Sequence, residues 1–297
     1  MTTQRGFTLI ELAIVLVIIT ILIGGLAVPL SAQIQARRIA ETNKTLEEAR
    51  EVAVGYAMTH SCSCAYTSTG STGTLIPATP TPSSTTCLIS SCPTTNPSST
   101  AVILQHRYLP CPDTDNDGNE DRGLGSDLDA CKAPVGWLPW VTLGTASQDA
   151  WGNRLLYAVN GDFAHRSTGF STTTPSSTAS PPTTTAQLGI CNTHTCGTPN
   201  VAANVAFVVM SHGANGRGAL NVNSLPPSNA LLAPPDPLSL DEIENLDTDA
   251  TYISRTHTKP GDVVNGVVDG GFDDILVWVP EGLLKARICP PSSDCSP

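Results

Sequence analysis

The sequence predicts an α+β fold: one long N-terminal α-helix, its first half suited to a membrane, packed on a small antiparallel β-sheet head with long loops. Three observations carry this. An apolar run fills residues 7–30, a helix-spaced apolar stripe continues over 31–60, and short β-type apolar runs recur between Ser/Thr/Pro-rich stretches in 61–297.

Residues 1–6 are polar, with one positive charge at Arg5, and Phe7 begins the apolar run. A helix over 7–30 rises roughly 36 Å at about 1.5 Å per residue, enough to cross a hydrocarbon core of about 30 Å. Its single ionisable residue is Glu11. A carboxylate there costs ~2.5–3.5 kcal/mol near the bilayer centre and less near an end, so it calls for a partner. Cleavage after Gly6 would create one, because the new α-amino group of Phe7 lies one turn before Glu11. Pairing that amine with Glu11 of a neighbouring helix gives packed copies a register-setting contact. An ordinary secretory signal fits less well: the run is long, holds Glu11, and meets Leu30, Ser31 and Ala32, a poor small-x-small site.

Beyond the run, Ile39, Leu46, Ala49, Ala53 and Tyr56 form one apolar face, with Arg37, Arg38, Glu41, Lys44, Glu47, Glu48 and Arg50 around it. Residues 67–100 and 167–185 read as Ser/Thr/Pro-rich surface loops. Strands are expected over 154–159, 204–210 and 274–279. The second is apolar on both faces, which makes it central.

Composition narrows function. Charged residues make up only 14% and aromatics 5%, so much of the chain is irregular and solvated. A net charge of −11 without clustered Lys and Arg argues against a specific nucleic-acid partner. Ten cysteines, all after residue 60, place that part in an oxidising compartment, periplasmic or extracellular. Cys111 and Cys131 bracket an acidic loop and are the first expected pair; nearness suggests Cys191 with Cys196, Cys289 with Cys295, and Cys62 and Cys64 with Cys87 and Cys92. Within the loop, Asp113, Asp115, Asp117, Gly118 and Asp121 reproduce the start of a calcium loop, although Leu124 stands where an EF-hand has its bidentate Glu. Calcium is the one cofactor expected. No G-x-S-x-G elbow, H-E-x-x-H pair or phosphate loop is present, and the chain is not expected to be an enzyme.

Gly6, Phe7, Thr8, Leu9, Ile10 and Glu11 closely resemble the prepilin signature of type IV pilins and type II secretion pseudopilins. The resemblance implies a pilin-like fold, cleavage and methylation at Gly6 and Phe7 by prepilin peptidase, and assembly through Glu11. Pro29 matches the family's helix-loosening proline. Further on, Asp149 to Asn153, then Ser211, Gly213, Asn215 and Gly216, then Asp273, Asp274 and Ile275, look like pieces of the globular domain of the major pseudopilin. That likeness implies a second calcium site, with Asn215, Asp273 and Asp274 in matching places. Major subunits are shorter, so the chain looks like an enlarged minor member, a single-pass inner-membrane precursor whose partners are other pilin or pseudopilin subunits. The alternatives are a filament-tip adhesin or ligand-binding pilin, and a membrane-anchored calcium-binding extracytoplasmic domain.

Overall fold

Helix α1 (Leu9–Thr59) starts on a side-chain cap: Thr8 and Glu11 bond each other reciprocally, satisfying backbone donors of the first turn. It ends where the His60 N–H bonds back to the Tyr56 carbonyl and the His60 ring stacks on Tyr56 at 3.7 Å between centroids. The computed structural model describes residues 8–66, 74–76, 102–125, 127–166, 169, 187–223, 231–247, 249–264 and 266–288, with backbone alone at 22–30, 61–66, 74–76, 102–106 and 124.

From Leu9 to Ile21 the apolar side chains of α1 are open to solvent, from 44% at Ile19 to 90% at Leu9. Among the described residues no helix is long and apolar enough to cross a membrane. Of the span expected over 7–30, Phe7 and the side chains of 22–30 lie outside the described residues. Contact with the head begins at Ile39, and Thr42 follows, its hydroxyl accepting from the Ala150 N–H at 3.2 Å. Leu46, Ala49, Ala53, Tyr56 and Ala57 are then buried, and Ile39 packs beside them. Three of these are alanines, which let the helix axis lie close to the sheet.

After α1 come β1 (Ser61–Tyr66), β2 (Thr74–Ile76) and β3 (Val102–Arg107), which form a three-stranded antiparallel sheet in the order β2-β1-β3. The hairpin β4 (Arg122–Leu124) and β5 (Asp127–Cys131) follows, then β6 (Val135–Trp137), α2 (Trp140–Leu143), β7 (Leu156–Val159), α3 (Gly161–Ala164), β8 (Leu188–Cys191) and β9 (Ala202–Ser211). The chain closes with α4 (Leu240–Glu244), β10 (Thr251–Ile253), the hairpin β11 (Val263–Val264) and β12 (Val267–Val268), β13 (Ile275–Pro280) and α5 (Glu281–Ile288).

The main sheet runs β10-β8-β9-β7-β6, and β13 also pairs with β9. β9 is central, as its two apolar faces require. The expectation of an antiparallel sheet needs one correction: β10 pairs with β8 in parallel. The long connection carrying α4 permits that crossover, which a tight turn would not. Opposite β13, Phe207 meets Val279 and Val205 meets Pro280, so Ala206 is an extra residue and a bulge. The bulge keeps Phe207 and Val209 facing α1 together with Tyr157, Val159, Val277 and Val279. Val205, Val208 and Met210 join Leu156, Leu188, Ile190, Tyr252 and Leu276 on the other face.

Candidate functional site

Antiparallel pairing puts the start of β7 and the start of β13 at the end of β9, with Leu156 opposite Met210 and Ile275 opposite Ser211. The three short patches noted in the sequence therefore meet. Asp149 Oδ1 accepts from the N–H groups of Trp151 and Asn153, each at 2.9 Å, and Oδ2 accepts from the Ser211 hydroxyl at 2.7 Å. Ser211 Oγ accepts in turn from the Gly213 N–H at 3.1 Å. Gly213 has φ +62°, and a Cβ there would lie 2.2 Å from the Asp273 carbonyl, so only glycine fits.

Beside this turn, Glu242, Asp273 and Asp274 each bring a carboxylate oxygen into one group whose members lie within 4.8 Å of one another. Glu242 Oε1 accepts from Asn215 Nδ2 at 2.8 Å and from the Asp273 N–H at 3.1 Å. Asp273 Oδ2 accepts from the Asn215 N–H at 2.8 Å, and Asp274 Oδ2 from Asn245 Nδ2 at 2.8 Å. Glu242 Oε2 and Asp273 Oδ1 are buried with no hydrogen-bond partner. Burial, with the charge of Asp273 added, pushes the Glu242 carboxyl up to about 7, and burial pushes Asp274 well above the carboxylate range. His212 stands 3.8 Å from Asp274, and its burial pushes the imidazole down to about 4. Hard oxygen donors crowded without compensating charge suit a hard divalent cation such as calcium. Asn215 adjoins the group. Its Oδ1 accepts from the Arg217 N–H at 2.8 Å, and its amide holds Glu242.

The acidic loop after Cys111 is built otherwise. Oxygens of Asp113, Asp115 and Asp117 also lie within 4.8 Å of one another. Asp113, however, is fully buried and spends both oxygens on its own chain: Oδ1 accepts from the N–H groups of Asp115 (3.1 Å) and Asn116 (2.7 Å), and Oδ2 from that of Gly118 (2.8 Å). Asp121 stands outside the group, with Oδ2 turned to the Thr114 N–H (2.7 Å) and hydroxyl (2.5 Å). The loop is closed by the Cys111–Cys131 disulfide, Cα atoms 5.3 Å apart, and Cys191–Cys196 is the other described pair. Cys289 and Cys295, and the proposed set Cys62, Cys64, Cys87 and Cys92, lie outside the described residues or side chains.

At the chain's start, Glu11 Oε2 accepts from both the Thr8 N–H and the Thr8 hydroxyl, each at 2.8 Å. Residues 1–27 match the family model described as the prokaryotic N-terminal methylation motif. The chain carries the type IV pilin and pseudopilin signature. No curated protein and no solved structure gives a match to the chain. The methylation motif runs directly into α1, so signature and docking helix are one continuous element. Gly6 and Phe7, its expected cleavage and methylation pair, lie outside the described residues.

Sequence reasoning missed two groups. One is Glu242, separated by 31 residues from Asp273, whose local run resembles any short acidic helix. The other is a buried ion cluster under α1: Glu120 Oε1 accepts from Arg122 Nε (3.0 Å), Arg166 Nη2 (2.9 Å) and the Tyr56 hydroxyl (3.3 Å). Glu120 Oε2 accepts from the Cys111 N–H (3.1 Å) and Arg122 Nη2 (2.9 Å).

Proposed function

We propose that this chain is a prepilin-type structural subunit, cut between Gly6 and Phe7, methylated at Phe7 and held in the inner membrane through residues 7–30 until it joins a filament. The filament is a type IV pilus or type II secretion pseudopilus, and the enlarged head makes this a minor subunit. The observation that carries the reading is the methylation motif continuing into one helix, open and apolar over Leu9–Ile21 and docked on the head from Ile39 onward. An apolar stripe of that length is stable only against lipid or other apolar helices. Calcium at Asp273 and Asp274 belongs to the same reading, supported by the converging oxygens and by the unpartnered Asp273 Oδ1.

Intact mass with N-terminal fragmentation of the membrane-extracted protein, from cells with and without prepilin peptidase, tests it. A chain beginning at N-methylated Phe7 only when the peptidase is present is the expected result. A chain retaining Met1 in both strains, or starting after Ala32, overturns the reading.

A further inference from the structure

β9 and β13 are adjacent antiparallel strands, which a few residues suffice to join. Here residues 212–274 intervene, carrying α4, β10 and the β11–β12 hairpin. The pairing of Ser211 with Ile275 already fixes both ends of this connection. Its middle is held by polar contacts around α4. Asp241 Oδ1 accepts from the His194 N–H and, at the same 2.8 Å, contacts the imidazole Nδ1, while Oδ2 accepts from Arg255 Nε at 2.5 Å. Arg255 Nη2 reaches Asp269 Oδ2 at 2.7 Å. One residue on, Glu242 turns the other way, toward the sheet, with 3% of its surface exposed and Oε2 unpartnered.

We propose that Glu242 is the cation ligand supplied by the middle of this connection, and that the bound ion fastens α4 to the start of β13. The proposal rests on the calcium reading given above. Three features lead to it. Glu242 Oε2 and Asp273 Oδ1 are buried oxygens lacking donors, and they belong to one group with Asp274. Glu242 Oε1 is already anchored by Asn215 and the Asp273 N–H, and the Glu242 and Asp273 carboxyls meet side chain to side chain. The described N–H hydrogen bonds to Glu242 and Asp273 and the one to Asp274 Oδ2 all come from uncharged amides, and the imidazole of His212 stands 3.8 Å from Asp274. Because Asp241 is adjacent, an ion at Glu242 also steadies the Cys191–Cys196 ring through His194 and the 255–269 segment through Arg255. The apolar side chains exposed around α4, at Leu238, Leu240 and Ile243, thereby become a surface whose order depends on the cation.

The test uses the full chain in detergent, stripped with EDTA and titrated with calcium chloride, read by calorimetry and by amide hydrogen exchange. In the unaltered chain, calcium is expected to bind and to slow exchange at least tenfold over residues 239–247, with smaller slowing over 192–196. Glu242→Gln, close in shape to the protonated acid, is expected to weaken binding at least tenfold and abolish the slowing. If the unaltered chain shows neither heat nor slowed exchange, the calcium reading itself falls. If it binds calcium with slowing at 273–275 but none at 239–247, or if Glu242→Gln binds as tightly, the calcium reading stands and Glu242 is not the ligand. The exchange comparison on the unaltered chain decides the matter even where the variant fails to fold.

Discussion

Asp113 and Glu242 are both buried carboxylates, and they differ in what their oxygens meet. Asp113 accepts three backbone N–H groups and so ties its loop together from within. Hydrogen bonds to an ionised acceptor contribute roughly 1.5–3 kcal/mol each, and stranded donors add their own cost. Asp113→Ala is therefore expected to lower the unfolding free energy by on the order of 3 kcal/mol, and the exposed Asp115→Ala and Asp117→Ala by under about 0.5 kcal/mol. Denaturant midpoints check this; a large loss at Asp115 would mean that an ion holds the loop. Glu242 behaves oppositely. Its carboxyl titrates at about 7 in the fold and near ~4.3 when unfolded, so between those values the folded chain binds more protons and stability falls as pH rises. Glu242→Gln removes that titration. In EDTA the variant should gain on the unaltered chain from about pH 5 to about pH 7, by up to about 1.4 kcal/mol per unit, and excess calcium should narrow the gap. Melts that give a gap independent of pH count against it. Asp113 was legible because acidic residues bunched in a turn announce themselves, and Asp273 and Asp274 because their patch resembles part of the pseudopilin head. Glu242 was not, since only the crossover that returns α4 to β13 brings it there.

At the scale of elements, the docking of α1 rests on an apolar face and on Glu120. Burial alone would raise the Glu120 pKa, but Arg122 and Arg166 outweigh it and hold the carboxyl below its usual value. This contribution is present above the unfolded pKa and is lost as pH falls through the folded one. Removing one partner of a buried ion cluster leaves uncompensated charge, so Glu120→Gln is expected to cost about 3 kcal/mol and to loosen Tyr56 and the Cys111 loop together. Thermal unfolding with hydrogen exchange over 46–57 tests this; a loss confined to the loop would show that α1 docks on apolar contacts alone. The helix face itself was legible, because Leu46, Ala49, Ala53 and Tyr56 recur at helical spacing and all four are buried. The runs at 154–159, 204–210 and 274–279 became β7, β9 and β13, the strands with apolar residues on both faces. β4, β5 and β6 gave no such signal. They are short, mostly half-exposed and rich in Gly and Asp, and are held by the disulfide and by pairing rather than by a hydrophobic pattern.

Taken whole, the molecule is a head from which residues 9–38 of α1 project by roughly 45 Å at about 1.5 Å per residue. Over Leu9–Ile21 the projecting part cannot satisfy itself, since its apolar side chains lie open to solvent. Glu11 is the exception. Its carboxylate is occupied by Thr8 in the single chain, which gives it a local partner before any neighbour arrives. On the filament reading, assembly exchanges this contact for the α-amino group of an adjacent Phe7. Glu11→Gln separates the two roles, because glutamine still completes a capping box but carries no charge to pair with an amine. The variant is expected to insert and to be trimmed as the unaltered chain is, and its share in sheared filaments should fall at least tenfold, by about 1.4 kcal/mol or more of assembly free energy. Quantifying trimmed subunit in membrane and filament fractions reads both steps at once. Equal filament fractions would show that the apolar stripe alone sets the register, whereas loss of trimming would place Glu11 in the peptidase step instead.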